Sequence, residues 1–162
     1  MSESRISLVP VVADHPLAED LYRMGDEFFG MSLTRYNPAA LMARLHQLDV
    51  RLLAAQVDEE IVGIAGYRTN PQNRRQATVS VSTPTVDTFT AVLTAHLLVL
   101  GTVARIGSFV SVVRADSGAV AGYHASKFRE VGRLRARRYH AHCHHDEVIL
   151  HRTGTPKEDD RP

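Results

Sequence analysis

Many of the residues that could do chemistry lie close together near the C-terminal end of the chain. The stretch YHAHCHHDEVILHRT, residues 139–153, holds five of the nine histidines and the only cysteine. Neutral imidazole is a good ligand for zinc, nickel and copper, and histidine also exchanges protons near neutral pH. A strand that continued through this stretch would place His140, His142 and His144 on one face, because side chains alternate along a strand. The stretch therefore predicts a metal site, a substrate-binding or proton-accepting cluster, or a histidine-rich surface turn.

A metal is the least favoured of these three interpretations. A closed metal site usually draws its ligands from separate segments, and elsewhere the chain offers only scattered histidines such as His46, His96 and His124. We therefore expect no metal. A substrate-binding role for His140, His142 and His144 and a surface or subunit-interface turn both stay open.

The bulk composition describes an ordinary globular domain. The 162 residues are 44% hydrophobic and 23% charged, and the formal net charge of +1 lacks the basic excess of a nucleic-acid binder. A single cysteine forms no internal disulfide. The N-terminus lacks the pattern of a signal peptide, and His96 and Arg105 interrupt the most apolar stretch, so we expect no membrane segment and a cytoplasmic protein.

Apolar periodicity and turn residues predict the order β-α-α-β-β-β-α-β-α-β-β. A first strand is expected over Arg5–Val12, and a helix that begins near Asp14 is expected to extend to Phe28. A second helix begins at Asn37-Pro38, and three strands then form an antiparallel meander. The remaining elements are a long helix over Val86–Arg105, a buried strand over Ser108–Val113, a short helix and two C-terminal strands.

This order predicts an α/β (α+β) fold in a single domain over residues 1–153. We expect a mixed, mostly antiparallel sheet of six or seven strands with helices on both faces. The charged tail over residues 154–162 is expected to be disordered.

Three stretches carry a family resemblance. They are LLAAQVDEEIVGIAGYR, ADSGAVAGYHASKF and KFREVGRLRARRYHAHCHHDEVILHR. Together with the order of elements they resemble the GNAT superfamily of acyl-CoA-dependent N-acyltransferases, and the third is most similar to its phosphinothricin-acetyltransferase-like branch. In the second stretch Asp116 stands where many members have Asn, and Tyr123 stands at their Tyr. In the third, Tyr139, Asp146 and Arg152 match the spacing of an aromatic, an Asp and an Arg.

The resemblance implies transfer of an acetyl or other acyl group from acetyl-CoA or another acyl-CoA to a primary amine of a small molecule. Tyr123 would protonate the departing thiolate as general acid. Val81 and Thr83 would offer backbone groups to the pantetheine arm. Glu27, Asp146 or a histidine of the terminal hairpin would accept the proton of the amine.

The chain departs from the family at the loop that holds the CoA pyrophosphate. Members carry Arg/Gln-x-x-Gly-x-Gly/Ala there, because close backbone approach needs glycine and the helix dipole favours an anion. This chain has VSTPTVDTFTAVLTAH, with no glycine and with Asp87 in the loop. The residues left to bind the cofactor are the three threonines that could donate hydroxyl hydrogen bonds, and Asp116 at the Asn position. The threonines are Thr85, Thr88 and Thr90.

A second interpretation follows from this departure. The chain is then a GNAT-like domain that no longer uses CoA and instead binds a ligand or a protein. In another form of it, the histidine-rich hairpin supplies acid and base groups for different chemistry. Arg133, Arg135 and Arg137 are expected on one solvated strand face, and such a hairpin would also suit a homodimer contact.

Overall fold

The computed structural model describes residues 5–11, 27–32 and 37–156. Its helices are α1 (Pro38–Gln47), α2 (Val86–Thr102) and α3 (Ala119–Ala125). Its strands are β1 (Ser7–Pro10), β2 (Glu27–Phe28), β3 (Met31–Ser32), β4 (Arg51–Val57), β5 (Glu60–Asn70), β6 (Asn73–Ser82), β7 (Ser108–Arg114), β8 (Arg129–His140) and β9 (Cys143–Thr153).

Seven of the strands form one mixed sheet in the order β1-β4-β5-β6-β7-β9-β8, and β2 and β3 form a separate two-stranded ribbon. All neighbours in the large sheet are antiparallel except β6 and β7, which α2 connects in parallel. The α/β class and the mixed, mostly antiparallel sheet are confirmed.

Local sequence explains several element boundaries. Asn37 caps α1, because its side chain accepts a hydrogen bond from the Ala40 N–H, and Pro38 occupies the first turn where no N–H is needed. Asp58 and Glu59 both have positive φ, as the tight turn between β4 and β5 requires. The helix expected to extend from Asp14 to Phe28 is wrong at its C-terminal end, because Phe28 lies in β2. The rest of that expected helix lies mostly outside the described residues.

Side-chain alternation along the strands divides the core between the two faces of the sheet. One cluster packs α1 against the ribbon and the sheet through Phe28, Leu41, Leu45 and Ile64. The larger cluster packs α2 and α3 against the opposite face and includes Leu93, Leu97 and Tyr123. The expected placement of helices on both faces is therefore confirmed.

The parallel pair β6 and β7 stays together for only three positions. Gln76, Ala77 and Thr78 pair with Ser108, Phe109 and Val110, and beyond them β6 pairs only with β5 and β7 only with β9 among the described residues. The strands therefore diverge toward their C-terminal ends, where the chain continues into α2 after β6 and into α3 after β7. A gap opens there in the middle of the sheet.

The C-terminal hairpin departs from regular alternation. Between two successive pairs, Leu134 with Glu147 and Arg138 with His145, the chain advances four residues along β8 and two along β9. This bulge interrupts the alternation that predicted Arg133, Arg135 and Arg137 on one face, so the expectation of one face is wrong. All three arginines are nevertheless exposed, as expected of a solvated strand.

The histidine-rich segment forms the turn of this hairpin. Ala141 and His142 occupy the turn with positive φ, and His140 pairs with Cys143 while Tyr139 pairs with His144. Paired residues share a face, so His140 and His144 lie on opposite faces and His142 lies in the turn. The expectation of one face for His140, His142 and His144 is wrong, because the strand reverses where it was expected to continue.

No helix in the described ranges has the length and apolarity needed to cross a membrane. Of the tail that begins at residue 154, residues 157–162 lie outside the described part of the chain. Gly154 donates its N–H to the Gly107 carbonyl at 2.9 Å, so the described start of the tail stays attached to the sheet.

Candidate active site

The gap between β6 and β7 contains a cavity of about 160 Å³. Its walls are residues 80–86 from the end of β6 and the start of α2, Val112 and Val113 from β7, residues 117–119 before and at the start of α3, and Glu27, Gly30, Phe89 and Tyr123. Four separate parts of the chain meet there because the diverging strands leave backbone edges that no neighbouring strand covers. Such an edge can accept a ligand that carries amide groups.

Tyr123 lies in the wall of this cavity with only 1% of its surface exposed. Its ring packs edge-on between Phe89, at 5.2 Å between centroids, and Phe128, at 5.1 Å. Its hydroxyl is buried and has no hydrogen-bond partner among the described residues. Two neighbouring aromatic rings thus fix the direction of the hydroxyl in the cavity wall.

Burial raises the pKa of Tyr123 to about 12, and the negative charge of Glu27 also raises it. The Ser111 hydroxyl on β7 and the Val81 backbone and Ser80 hydroxyl on β6 oppose this shift, although none of them makes a hydrogen bond of normal geometry. The phenol therefore faces polar groups from both sides of the gap and carries its proton at neutral pH.

Glu27 is held in the cavity wall by a buried ion-pair cluster. Its side chain is 7% exposed, and its Oε1 accepts a hydrogen bond from Arg138 Nη1 at 3.1 Å. Arg138 also donates to Glu147 Oε1 from Nε at 2.9 Å and from Nη2 at 2.8 Å. Gly30 makes room for this guanidinium, because a Cβ at Gly30 would lie 2.7 Å from Arg138 Nη2. Arg138 therefore bridges the two carboxylates of Glu27 and Glu147.

The threonines expected to bind a cofactor bond mainly to one another. Thr83 donates its hydroxyl to the Thr85 carbonyl at 2.7 Å, and Thr88 donates to the same carbonyl at 3.1 Å. The hydroxyl oxygens of Thr85 and Thr88 lie 3.0 Å apart. Thr83 and Thr85 line the cavity together with Val81, whereas Thr88 and Thr90 do not.

Asp116 lies outside the cavity wall, although its neighbours Ser117 and Gly118 belong to it. Its carboxylate accepts a hydrogen bond from Arg114 Nε and lies 3.3 Å from His145 Nδ1. Desolvation acts to raise the pKa of Asp116, but the hydrogen bond and charge of Arg114, together with His145, outweigh it and lower the pKa. The residue joins the loop before α3 to the C-terminal hairpin.

Asp146 holds the bulge of β8 and does not line the cavity. It accepts a hydrogen bond from the Ala136 N–H at 2.9 Å, which together with Arg133 lowers the pKa of Asp146. The structure therefore brings Glu27 and Tyr123 together and leaves Asp146 apart.

The hairpin histidines also lie outside the cavity wall. Tyr139 and His144 pack edge-on at 5.2 Å, and His145 Nε2 lies 3.1 Å from Cys143 Sγ and 3.0 Å from the His140 carbonyl. In the described residues, no three histidine, cysteine or acidic side chains converge as a metal site requires.

Sequence reasoning missed Arg138, Ser111 and Phe89. Arg138 is one of several arginines on β8, and only the bulge turns it toward Glu27. Phe89 fits against α3 because Gly122 lacks a side chain, since a Cβ there would lie 2.3 Å from the Phe89 ring. The spacing of Gly122 and Tyr123 was available in the sequence, but their partner on α2 was not.

No protein-family model matches the chain, and no curated protein matches it in sequence. Solved structures do match it. Spermidine/spermine N-acetyltransferase SpeG from Vibrio cholerae has a TM-score of 0.68 at 15% identity, over 93% of each chain. A chimera of the Vibrio cholerae enzyme and hSSAT reaches 0.72 at 14% identity, over 93% of this chain and 96% of that one. RimL, a ribosomal L7/L12 α-N-protein acetyltransferase solved with coenzyme A, reaches 0.70 at 16% identity, over 93% of this chain and 94% of its own.

The chain has the fold of these acetyltransferases. The single-domain fold predicted from the sequence is thereby confirmed across nearly the whole chain. At 14–16% identity the likeness is one of fold, and fold alone does not determine the chemistry of the cavity.

Proposed function

We propose that the protein is an N-acyltransferase that moves an acetyl or other short acyl group from an acyl-CoA thioester to a primary amine of a small molecule. The observation that carries the proposal is the Tyr123 hydroxyl, which is buried, without a partner in the described residues, and faces polar groups on both strands of the gap. The activities of two proteins with this fold support it, since SpeG is a spermidine/spermine N-acetyltransferase and RimL is a ribosomal L7/L12 α-N-protein acetyltransferase.

The thioester would lie in the gap between β6 and β7, with its carbonyl carbon open to the amine. The amine nitrogen forms a bond to that carbon, and the carbon–sulfur bond breaks with its electron pair leaving on sulfur. The bonded nitrogen loses a proton to solvent, and Tyr123 gives its proton to the sulfur and is reprotonated from solvent, so that the products are an amide and a free thiol. A phenol with a raised pKa stays protonated until the thiolate forms beside it.

Glu27 is the carboxylate placed to act on the amine. It lines the same cavity as Tyr123, and a carboxylate in the wall suits a cationic ammonium group. The ammonium must lose a proton before attack, and Glu27 accepts it directly or through water. Asp146 and the hairpin histidines have no place in this proposal, because they lie outside the cavity wall.

The test is to incubate the protein with acetyl-CoA and each of a panel of primary amines, and to measure turnover as the rate at which free thiol is released. We expect thiol release that depends on the amine and stops with a Tyr123→Phe variant that folds normally. If no amine stimulates thiol release and acetyl-CoA gives no calorimetric signal, the acyltransferase proposal is wrong, and the alternative of a binding domain without CoA takes its place.

A further inference from the structure

The mouth of the cavity, where β6 passes into α2, has features unlike those of a phosphate-binding loop. We propose that the acyl donor is recognised through its acyl-pantetheine arm alone, and that the nucleotide and phosphate end of CoA adds little to binding or turnover. This inference rests on the proposed function and specifies the chemical class of donor that the site accepts.

The hydroxyl protons at this mouth are already used within the protein. A hydroxyl group has a single proton to donate. Thr83 and Thr88 both give theirs to the Thr85 carbonyl, so in the 3.0 Å contact between Thr85 and Thr88 the donor must be Thr85. A phosphate placed here would have to break these hydrogen bonds before any of the three hydroxyls could bind it.

The charges at the mouth are also unfavourable for phosphates. No lysine or arginine occurs among the described residues that line the cavity, and the carboxyl group in its wall is that of Glu27. Asp87 lies exposed in the first turn of α2, where it supplies the negative charge that a helix N-terminus favours. A pyrophosphate would meet this carboxylate in the place where a charge-assisted bond is needed.

The inner part of the cavity, by contrast, suits a neutral arm with two amide groups. The edges of β6 and β7 beyond Thr78 and Val110 have no strand between them, so their backbone groups can pair with the amides of pantetheine. Phe89, Val112 and Val113 provide apolar contact along the same path. The protein therefore offers matching groups to the pantetheine arm, whereas for the phosphates this mouth offers only the backbone N–H groups of the first turn of α2, which have no side-chain cap.

The experiment compares three donors with one good amine acceptor: acetyl-CoA, acetyl-3′-dephospho-CoA and S-acetylpantetheine. We expect kcat/KM values that agree within about fivefold, because no lysine or arginine among the described cavity-lining residues is available to bind the phosphates. If acetyl-CoA exceeds S-acetylpantetheine by about a hundredfold or more, the inference is wrong and the proposed function stands. If no donor supports transfer to any amine, the proposed function itself is wrong.

A charge reversal at the mouth adds an independent test. Asp87→Lys replaces the repelling carboxylate by a cation, so it should lower the KM for acetyl-CoA about fivefold and leave that for S-acetylpantetheine unchanged. Glu60→Lys is the matched control, since Glu60 is exposed at the start of β5 and does not line the cavity. An equal response of both donors to Asp87→Lys, or no response of either, contradicts the placement of the phosphate end at α2 and overturns the inference.

Discussion

The cavity between β6 and β7 and the tip of the C-terminal hairpin differ in an instructive way. The tip of the hairpin, residues 139–145, holds four of the nine histidines and the single cysteine. The side chains of Cys143 and His145 nevertheless contact each other, Asp116 and the backbone. The cavity holds few ionisable groups, but one of them is a buried hydroxyl with no partner in the described residues. A dense run of reactive residues therefore indicates the site less well than one polar atom that is buried and still available.

The sharpest test of this comparison is to remove one reactive group from each region. Tyr123→Phe should lower kcat about a thousandfold, within the usual range for loss of a general acid. It should not lower the melting temperature, because the deleted hydroxyl has no partner in the described structure.

The matching change on the hairpin is a triple substitution of His140, His142 and His144 to alanine. It should alter kcat and KM less than twofold, because none of the three lines the cavity. A loss of activity in the triple variant as large as that of Tyr123→Phe would reverse the comparison.

The buried ion-pair cluster can be compared with the exposed one on the same strand. Arg138→Gln leaves Glu27 and Glu147 without their shared cation and should lower the free energy of unfolding by about 3–4 kcal/mol. Arg133→Gln removes an exposed pair with Glu130 and Asp146 and should change the unfolding curve very little. Urea unfolding of both variants measures the difference, and equal effects would contradict it.

The one buried histidine of α2 behaves unlike the hairpin histidines. His96 donates from Nε2 to the Gly66 carbonyl at 3.1 Å, and burial lowers the pKa of His96 from 6.5 to about 4. Between these values the unfolded chain binds more protons than the folded chain. The free energy of unfolding should therefore fall as the pH drops below 6.5 and level off below 4, by up to about 3 kcal/mol in total.

The control for this pH dependence is His96→Gln, which keeps an N–H donor for Gly66 and does not titrate. Urea unfolding at a series of pH values should show the loss between pH 6.5 and 4 in the wild type and a much flatter profile in the variant. Identical profiles would mean that other groups titrate in this window.

The smallest expected effect is a loss of stability on substitution of Gly122 in α3. Gly122→Ala forces a Cβ into the Phe89 ring, 2.3 Å away, and should cost about 2 kcal/mol of stability as the ring shifts within the cavity wall. Gly118→Ala is the matched control, because nothing lies within 4 Å of its Cβ position. Thermal unfolding of the two variants should separate them clearly, and equal midpoints would show that the ring yields at no cost.

Much of the fold could be predicted from the sequence because its signals are local. The turn at Asp58-Glu59, the cap at Asn37 and the apolar run over Ser108–Val113 each determine their own element. The site could be predicted only in part. Tyr123 follows from a resembled motif, whereas the contact of Arg138 with Glu27 joins residues 111 positions apart and depends on an irregular strand.

The difference between local and long-range signals also explains the two wrong predictions for the hairpin, which placed three arginines on one face and three histidines on one face. Alternation over Tyr139–Thr153 says which residues would share a face but does not say where the strand reverses. The turn is formed by Ala141 and His142, which lack the Asn-Gly or Asp-Gly sequence that usually predicts a tight hairpin turn. The bulge around Ala136 likewise has no glycine or proline to mark it.

The bulge in β8 has a consequence for how this segment can vary. Between Leu134 and Arg138 the strand is two residues longer than its partner, so the count of residues there decides which way Arg138 faces. Deletion of one residue would turn Arg138 and the strand beyond it to the opposite side of the sheet. The guanidinium would then leave both carboxylates. In this part of the protein, length is therefore under tighter constraint than composition.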